Sequence, residues 1–193
     1  MCGRYYVDDE TAREIEKVVR DLDRKLKIQR AGDVYPSQSA TVITEKASHL
    51  TLEQMQWGFP GFENGKLLIN ARAESALERP TFRDSVKHRR CIIPARGFYE
   101  WNKSKEKFSY ERQDIPVIFM AGCYNWYEDQ ERFVILTTEA NSSVCPVHNR
   151  MPLILEPEEL EDWVLDDEAT KRLLHKTPML LQGKADYEQM RLF

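Results

Sequence analysis

The sequence predicts an α+β fold: a single domain with a strongly curved, barrel-like antiparallel sheet and peripheral helices. Three observations carry this prediction. Short β-type runs, bounded by Gly, Pro and polar turn residues, recur from residue 40 to residue 155. Helical patterns are inserted between these runs. The 193 residues contain no linker, repeat or low-complexity stretch, so residues 1–193 read as one domain, long enough to bury about 70% of its unfolded surface.

Residues 8–27, DDETAREIEKVVRDLDRKLK, place Ala12, Ile15, Val18, Val19 and Leu22 at helical spacing. Asp8 or Asp9 caps the first turn, and basic residues gather at the end where the helix dipole favours them. A loop with Gly32 and Pro36 leads to strands at 40–44 and 50–57, the second with clear alternation. Gly58, Pro60, Gly61 and Gly65 make the next loop, and 81–88 is a short helix capped by Thr81. Strands follow at 90–93, 97–101, 107–112, 117–126, 132–138 and 150–155. Residues 156–165 form a helix with Pro157 in the tolerated first turn, and 166–176 a second helix capped by Asp167. Residues 184–193 are expected as a frayed tail.

A net charge of −4, from 28 Lys and Arg against 32 Asp and Glu, does not advertise nucleic acid. The distribution says more. Arg79, Arg83, Lys87, Arg89, Arg90 and Arg96 share residues 79–96 with Asp84 as the one acid, whereas 156–168 are acidic without a Lys or Arg. A local basic patch binds phosphates even on an acidic protein, because salt screens charge beyond about 8–10 Å. Cys2, Cys91, Cys123 and Cys145 are widely spaced and form no C-x-x-C pair, which argues against a zinc site, any other metal requirement or a disulfide scaffold. No signal peptide or membrane-spanning run is read, so a cytoplasmic protein with reduced thiols is expected, without a cofactor.

Cys2 stands directly behind the initiator methionine. Loss of Met1 leaves an α-amine and a thiol on adjacent carbons. An α-amine has a pKa near ~7.7–8.0, so an appreciable fraction is unprotonated at neutral pH. Such an amine condenses with an aldehyde to an imine, and the thiol can close onto it as a five-membered thiazolidine; alternatively the thiol is an ordinary nucleophile, or a small apolar residue starting a strand. In GFYEW, alternation puts Phe98 and Glu100 on one face and Tyr99 and Trp101 on the other, so Glu100 is either a carboxylate tuned by apolar neighbours for acid–base work or a solvated edge residue. His148 precedes NRMPLIL and suits a proton shuttle, against the commoner structural role of a lone histidine. In INARAE, Asn70, Arg72 and Glu74 share one face if the segment is extended, either to bind phosphate and amide groups or to tie loops together. Trp57, in QWGFP, is either a base-stacking surface or core.

MCGRY, QWGF, INARAE, FRDSVKHRRCIIPARGFYEW, LTTEA and VHNRMPLIL follow one another in order. Together they resemble the SOS response-associated peptidase (SRAP) family, whose members shield abasic sites in single-stranded DNA. The resemblance runs from Cys2 to about Leu155. It implies that Cys2 crosslinks to the sugar aldehyde, that Asn70 positions the amine and open-chain sugar, that Glu100 is the acid–base catalyst, and that His148 assists ring opening and proton transfer. It implies further that Arg4, Arg72 and Arg150 hold phosphates, and that Trp57, Gly58, Met151 and Thr137 line the strand where it bends. The expected activity is thus a covalent DNA–protein crosslink in the DNA damage response, with Met1 removed by the protein itself or by an aminopeptidase. Two other readings compete: a cysteine-dependent peptidase or N-terminal-nucleophile hydrolase acting mainly on its own terminus, and a non-catalytic single-strand binding module. Cys145 and Pro146 lie outside the family's usual pattern, and Cys145 is expected as a second accessible thiol.

Overall fold

The computed structural model describes residues 2–18, 31–61, 63 and 65–186. Its elements are β1 (Tyr5–Val7), α1 (Asp9–Val18), β2 (Gly32–Val34), β3 (Ser39–Lys46), β4 (His49–Trp57), β5 (Phe59–Pro60), β6 (Leu67–Leu68), β7 (Asn70–Arg72), α2 (Ala73–Ala76) and α3 (Pro80–His88). Then come β8 (Arg90–Ala95), β9 (Gly97–Trp101), β10 (Lys107–Glu111), β11 (Ile118–Tyr127), β12 (Gln130–Glu139), β13 (Arg150–Pro152) and β14 (Ile154–Leu155). A 3₁₀ turn (Pro157–Glu159) leads into α4 (Leu160–Leu165), α5 (Asp167–Leu173) and β15 (Gln182–Asp186).

The strands confirm the α+β, barrel-like prediction. β12, β4, β3, β8 and β11 neighbour one another in that order, and β11 pairs back onto β12, so five strands close a ring. Closure removes two open edges that would otherwise seek partners. The ring is not wholly antiparallel: β4 and β7 each run parallel to β12, at Gln56↔Arg132 and at Asn70↔Ile135. A second sheet has the order β15-β10-β9-β1-β2. Two tight hairpins sharpen the twist. Ala47 and Ser48 between β3 and β4, and Glu128 and Asp129 between β11 and β12, all take positive φ, the geometry that matches right-handed strand twist.

Opposite faces of the ring strands feed two apolar clusters. Ile43, Ile92, Phe119, Ala121, Val134 and Leu136 face helix residues such as Ile15, Val86, Leu160 and Trp163. Val42, Met55, Ile93, Met120 and Ile135 face the other way, joining Tyr5, Phe98 and Tyr110 of the second sheet and Cys2 itself. β3, β8, β11 and β12 thus spend both parities of their alternation on burial, which explains their near-continuous apolar runs, whereas β4 keeps polar, partly exposed positions.

Helix ends refine the predicted caps. Asp8 caps α1, accepting from Thr11 N and Thr11 Oγ1, each at 2.8 Å. The remainder of the predicted 8–27 helix beyond Val18 lies outside the described residues. At α3 no side chain caps; Pro80 occupies the first turn instead of Thr81 acting as cap. Asp166, not Asp167, caps α5 by accepting from Glu168 N and Ala169 N. Lys184–Asp186, placed by the sequence in a frayed tail, are paired with β10, while 187–193 lie outside the described residues.

The basic stretch is not a uniform surface. Arg90 is buried, and its guanidinium donates to Trp163 O, Val164 O, Val86 O and Lys87 O, with Asp167 Oδ1 at 2.9 Å. It satisfies terminal carbonyls of two helices at once, which those helices cannot satisfy themselves. Arg89 pairs with Asp84, and Arg96 with Asp8 and Glu111. Arg79, Arg83 and Lys87 remain exposed. In a urea titration, Arg90→Ala is expected to cost roughly 3–5 kcal/mol, because it strands buried carbonyls. Arg83→Ala, on the exposed face, is expected to stay within about 0.5 kcal/mol of the parent in the same titration.

Candidate active site

β1 carries the N-terminus to its place. It runs antiparallel to β9 with Tyr5 opposite Phe98, and Tyr99 N donates to Arg4 O at 3.0 Å. That register brings Cys2 toward the Glu100 end of β9. The alternation read from GFYEW holds: Phe98 and Glu100 are buried, while Tyr99 and Trp101 are half-buried on the other face. Asn70 arrives from β7, and its Nδ2 donates to Cys2 O at 2.9 Å. Asn70 Oδ1 is buried with no hydrogen-bond partner among the described residues, so the side chain keeps one acceptor unspent beside Cys2.

Cys2 is 0% exposed. Its thiol lies 3.8 Å from Arg4 O. Burial drives the thiol pKa far above its ordinary value, and the Glu100 charge adds to the effect. The sulfur is therefore held as S–H at neutral pH. Burial likewise raises the Glu100 carboxyl, opposed by the positive charges of the chain terminus and of His148. Glu100 is thus the group that couples electrostatically to both Cys2 and His148. Tyr5, which sequence reasoning did not single out, joins them: its hydroxyl is buried and unpartnered among the described residues, and the Cys2 charge raises its pKa after burial does.

His148 ends the turn-rich loop after β12. Asn141 organises that loop, its side-chain amide donating to Pro178 O and Met179 O while Oδ1 accepts from Ser143 N and Ser143 Oγ. Arg150 N and Arg150 O lie 3.0 and 3.1 Å from His148 Nδ1, so the backbone of β13 orients the ring. Cys145 in this loop is exposed, as the sequence suggested.

The residues expected to contact DNA divide into exposed and buried sets. Arg4 is half-buried, 3.5 Å from Asp33 and lying over the rings of Tyr35, Trp101 and Tyr99 at 4.6, 5.2 and 5.8 Å. Arg72 is exposed. Arg150 is engaged by Glu74 in a two-point ion pair, and Glu74 is not on the extended face predicted for INARAE because α2 begins at Ala73. Trp57 is core rather than a stacking surface: it is 0% exposed, donates to Ile69 O at 2.9 Å and packs on Tyr5 and Phe133. Thr137 and Met151 are also buried. Gly58 takes a φ of +112°, and a Cβ there would lie 3.2 Å from Leu67, so this turn requires glycine. A pocket of about 530 Å³ opens beside Asn70, lined also by Arg72, Arg79 and Phe82. No helix is long and apolar enough to cross a membrane among the described residues.

A family model described as SOS response associated peptidase (SRAP) matches residues 1–191. The chain belongs to the SRAP family. Among SRAP relatives, the abasic site processing protein YedK of Escherichia coli is 32% identical over 176 residues, covering 85% of this chain and 79% of that protein. The abasic site processing protein YoaM of Bacillus subtilis is 32% identical over 181 residues, with the same coverage of both chains. A crystal structure of a protein from Bacteroides thetaiotaomicron superposes with a TM-score of 0.79 at 24% identity, covering 97% of this chain and 93% of that one, and so shares the fold.

Proposed function

We propose that this protein processes abasic sites in DNA as part of the damage response, and that it does so on single strands by a covalent crosslink from Cys2. The observation that carries the reading is a chain of contacts between distant segments: the Cys2 carbonyl bonded to Asn70, Glu100 acting on the Cys2 thiol, and His148 acting on Glu100. The SRAP relatives YedK and YoaM, both named abasic site processing proteins, support abasic-site processing.

The chemistry follows from the groups. After Met1 is removed, the Cys2 amine adds to C1′ of the open-chain sugar, and the carbinolamine loses water to give an imine. Protonated Glu100 supplies the proton on which that water leaves, a role its raised pKa favours. Departure of that water leaves the imine protonated, and the thiol adds to its carbon: a C–S bond forms, the C=N π pair moves onto nitrogen, which keeps its proton, and the S–H proton returns to the Glu100 carboxylate, directly or through His148. The net change is loss of one water. Asn70 holds the terminal residue by its carbonyl, which raises the effective concentration of amine against aldehyde. Arg4, Arg72 and Arg150 supply positive charge for the flanking phosphates, with buried Thr137 bonded to Arg150 and buried Met151 next to it in β13.

A general cysteine peptidase is less well supported. Such an enzyme uses an accessible thiolate of depressed pKa. Here the thiol is fully buried and pushed the other way. The test is direct. The protein is mixed with a single-stranded oligonucleotide bearing one abasic site, with its tetrahydrofuran analogue, which has no aldehyde, and with intact strand. A denaturation-resistant slow band is expected with the abasic strand alone. A band with the analogue, or turnover of unrelated peptides without any adduct, counts against the proposal.

A further inference from the structure

Arg150 already holds an anion in the free protein. Its Nη1 and Nη2 meet Glu74 Oε1 and Oε2 at 2.7 and 2.9 Å, and Nη2 also donates to Thr137 O at 2.6 Å. Its Nε is buried without a partner among the described residues. A guanidinium gripped on both Nη atoms by a carboxylate cannot offer the same fork to a phosphate. The two partners are not equally free to move. The Arg150 side chain is 13% exposed and tied to β12 through Thr137, whereas Glu74 is 44% exposed on the four-residue helix α2. When an anion competes, the carboxylate is the group that yields.

We propose that Glu74 is a specificity-determining residue: its carboxylate occupies Arg150 in place of a DNA phosphate and must be displaced before a strand seats at Cys2. This rests on the single-strand crosslinking reading above. Displacement is a cost that every strand meets alike. Only a strand with an aldehyde then gains a covalent bond, so the ion pair suppresses reversible binding to undamaged DNA more than it suppresses capture. With Glu74 in place, Arg72 and Arg150 together present one net positive charge rather than two.

The experiment is a titration of an undamaged single-stranded oligonucleotide between about 50 and 200 mM salt, for the parent, Glu74→Gln and the double variant Glu74→Gln/Arg150→Gln. Adduct formation on the abasic strand is measured separately. One phosphate contact contributes about 0.7 to the slope of log affinity against log salt for single strands. Glu74→Gln is therefore expected to steepen that slope by about 0.7, an extra loss of about 2.6-fold over the fourfold salt range. It is expected to bind more tightly at the lowest salt and still to form the adduct. The double variant is expected to return to the parental slope or below it. An unchanged or shallower slope in Glu74→Gln, or a steeper slope that survives removal of Arg150, overturns the proposal. Should Glu74→Gln not fold, Glu74→Asp, which withdraws the carboxylate by one methylene, is expected to show part of the steepening, and a parental slope there overturns it equally. A parent that forms adduct while Glu74→Gln leaves the slope unmoved sinks this inference alone. A parent that neither binds nor captures single strands sinks the function proposed above, and this inference with it.

Discussion

Cys2→Ala is expected to abolish the denaturation-resistant adduct while leaving the fold intact. The variant retains a terminal amine after methionine removal, so the imine still forms, but no sulfur closes on it. Borohydride reduction should therefore trap an amine-linked protein–DNA species from the variant that heat alone destroys, whereas the parental adduct needs no reductant. The loss expected without borohydride is complete. Stability should fall by roughly 1 kcal/mol, since one small buried side chain is truncated among Tyr5, Phe98 and Met151. Intact mass supplies the control: parental protein that retains Met1 yet becomes permanently attached to abasic DNA would contradict the mechanism, as would a stable unreduced adduct from the alanine variant.

Glu100→Gln has the next largest expected effect. Removing a general acid and base from a reaction with two proton transfers should slow adduct formation by about 10²–10⁴-fold. The same change is expected to stabilise the fold at neutral pH. Burial raises the Glu100 carboxyl above its ordinary 4.5, so the native chain holds this proton more tightly than the unfolded chain does. That contribution is whole below about pH 4.5 and is lost as pH rises through the raised value. Glutamine suffers no such loss. The midpoint temperature of Glu100→Gln minus that of the parent should therefore increase between about pH 4.5 and pH 7. A variant that is both slower and less stable at neutral pH would mark Glu100 as a structural residue.

The face of Glu100 was legible because a strand has period two: once Phe98 is inside, Glu100 is too. The curved sheet was legible from the series of short apolar runs. The parallel seam between β4 and β12 was not, since β12, buried on both faces over its centre, reads the same whichever way its neighbour runs. The hairpin turns at Ala47–Ser48 and Glu128–Asp129 carry none of the Gly or Asn that usually announces positive φ. Arg90 looked like surface charge because what buries it, the carbonyls of Trp163 and Val164, lies 73 and 74 residues further along. Trp57 stood between stacking and core until the Ile69 carbonyl supplied its indole with a partner. Glu74 left the strand face because Ala73–Ala76 turns into helix, a switch that the alternation of Asn70, Arg72 and Glu74 concealed. The resemblance supplied the grouping of Cys2, Asn70, Glu100 and His148; spacing alone would not have joined residues that four separate segments deliver.

Complete enclosure of Cys2 sets a clock on maturation. β1, which carries it, pairs with β9, so a residue made at the outset is held in place by a strand made far later. At about 5–20 residues per second, roughly 5–20 s of synthesis separate Cys2 from the end of β9 at Trp101. A soluble aminopeptidase that acts within that interval meets an unpaired β1; one that acts later meets β1 already hydrogen-bonded to β9.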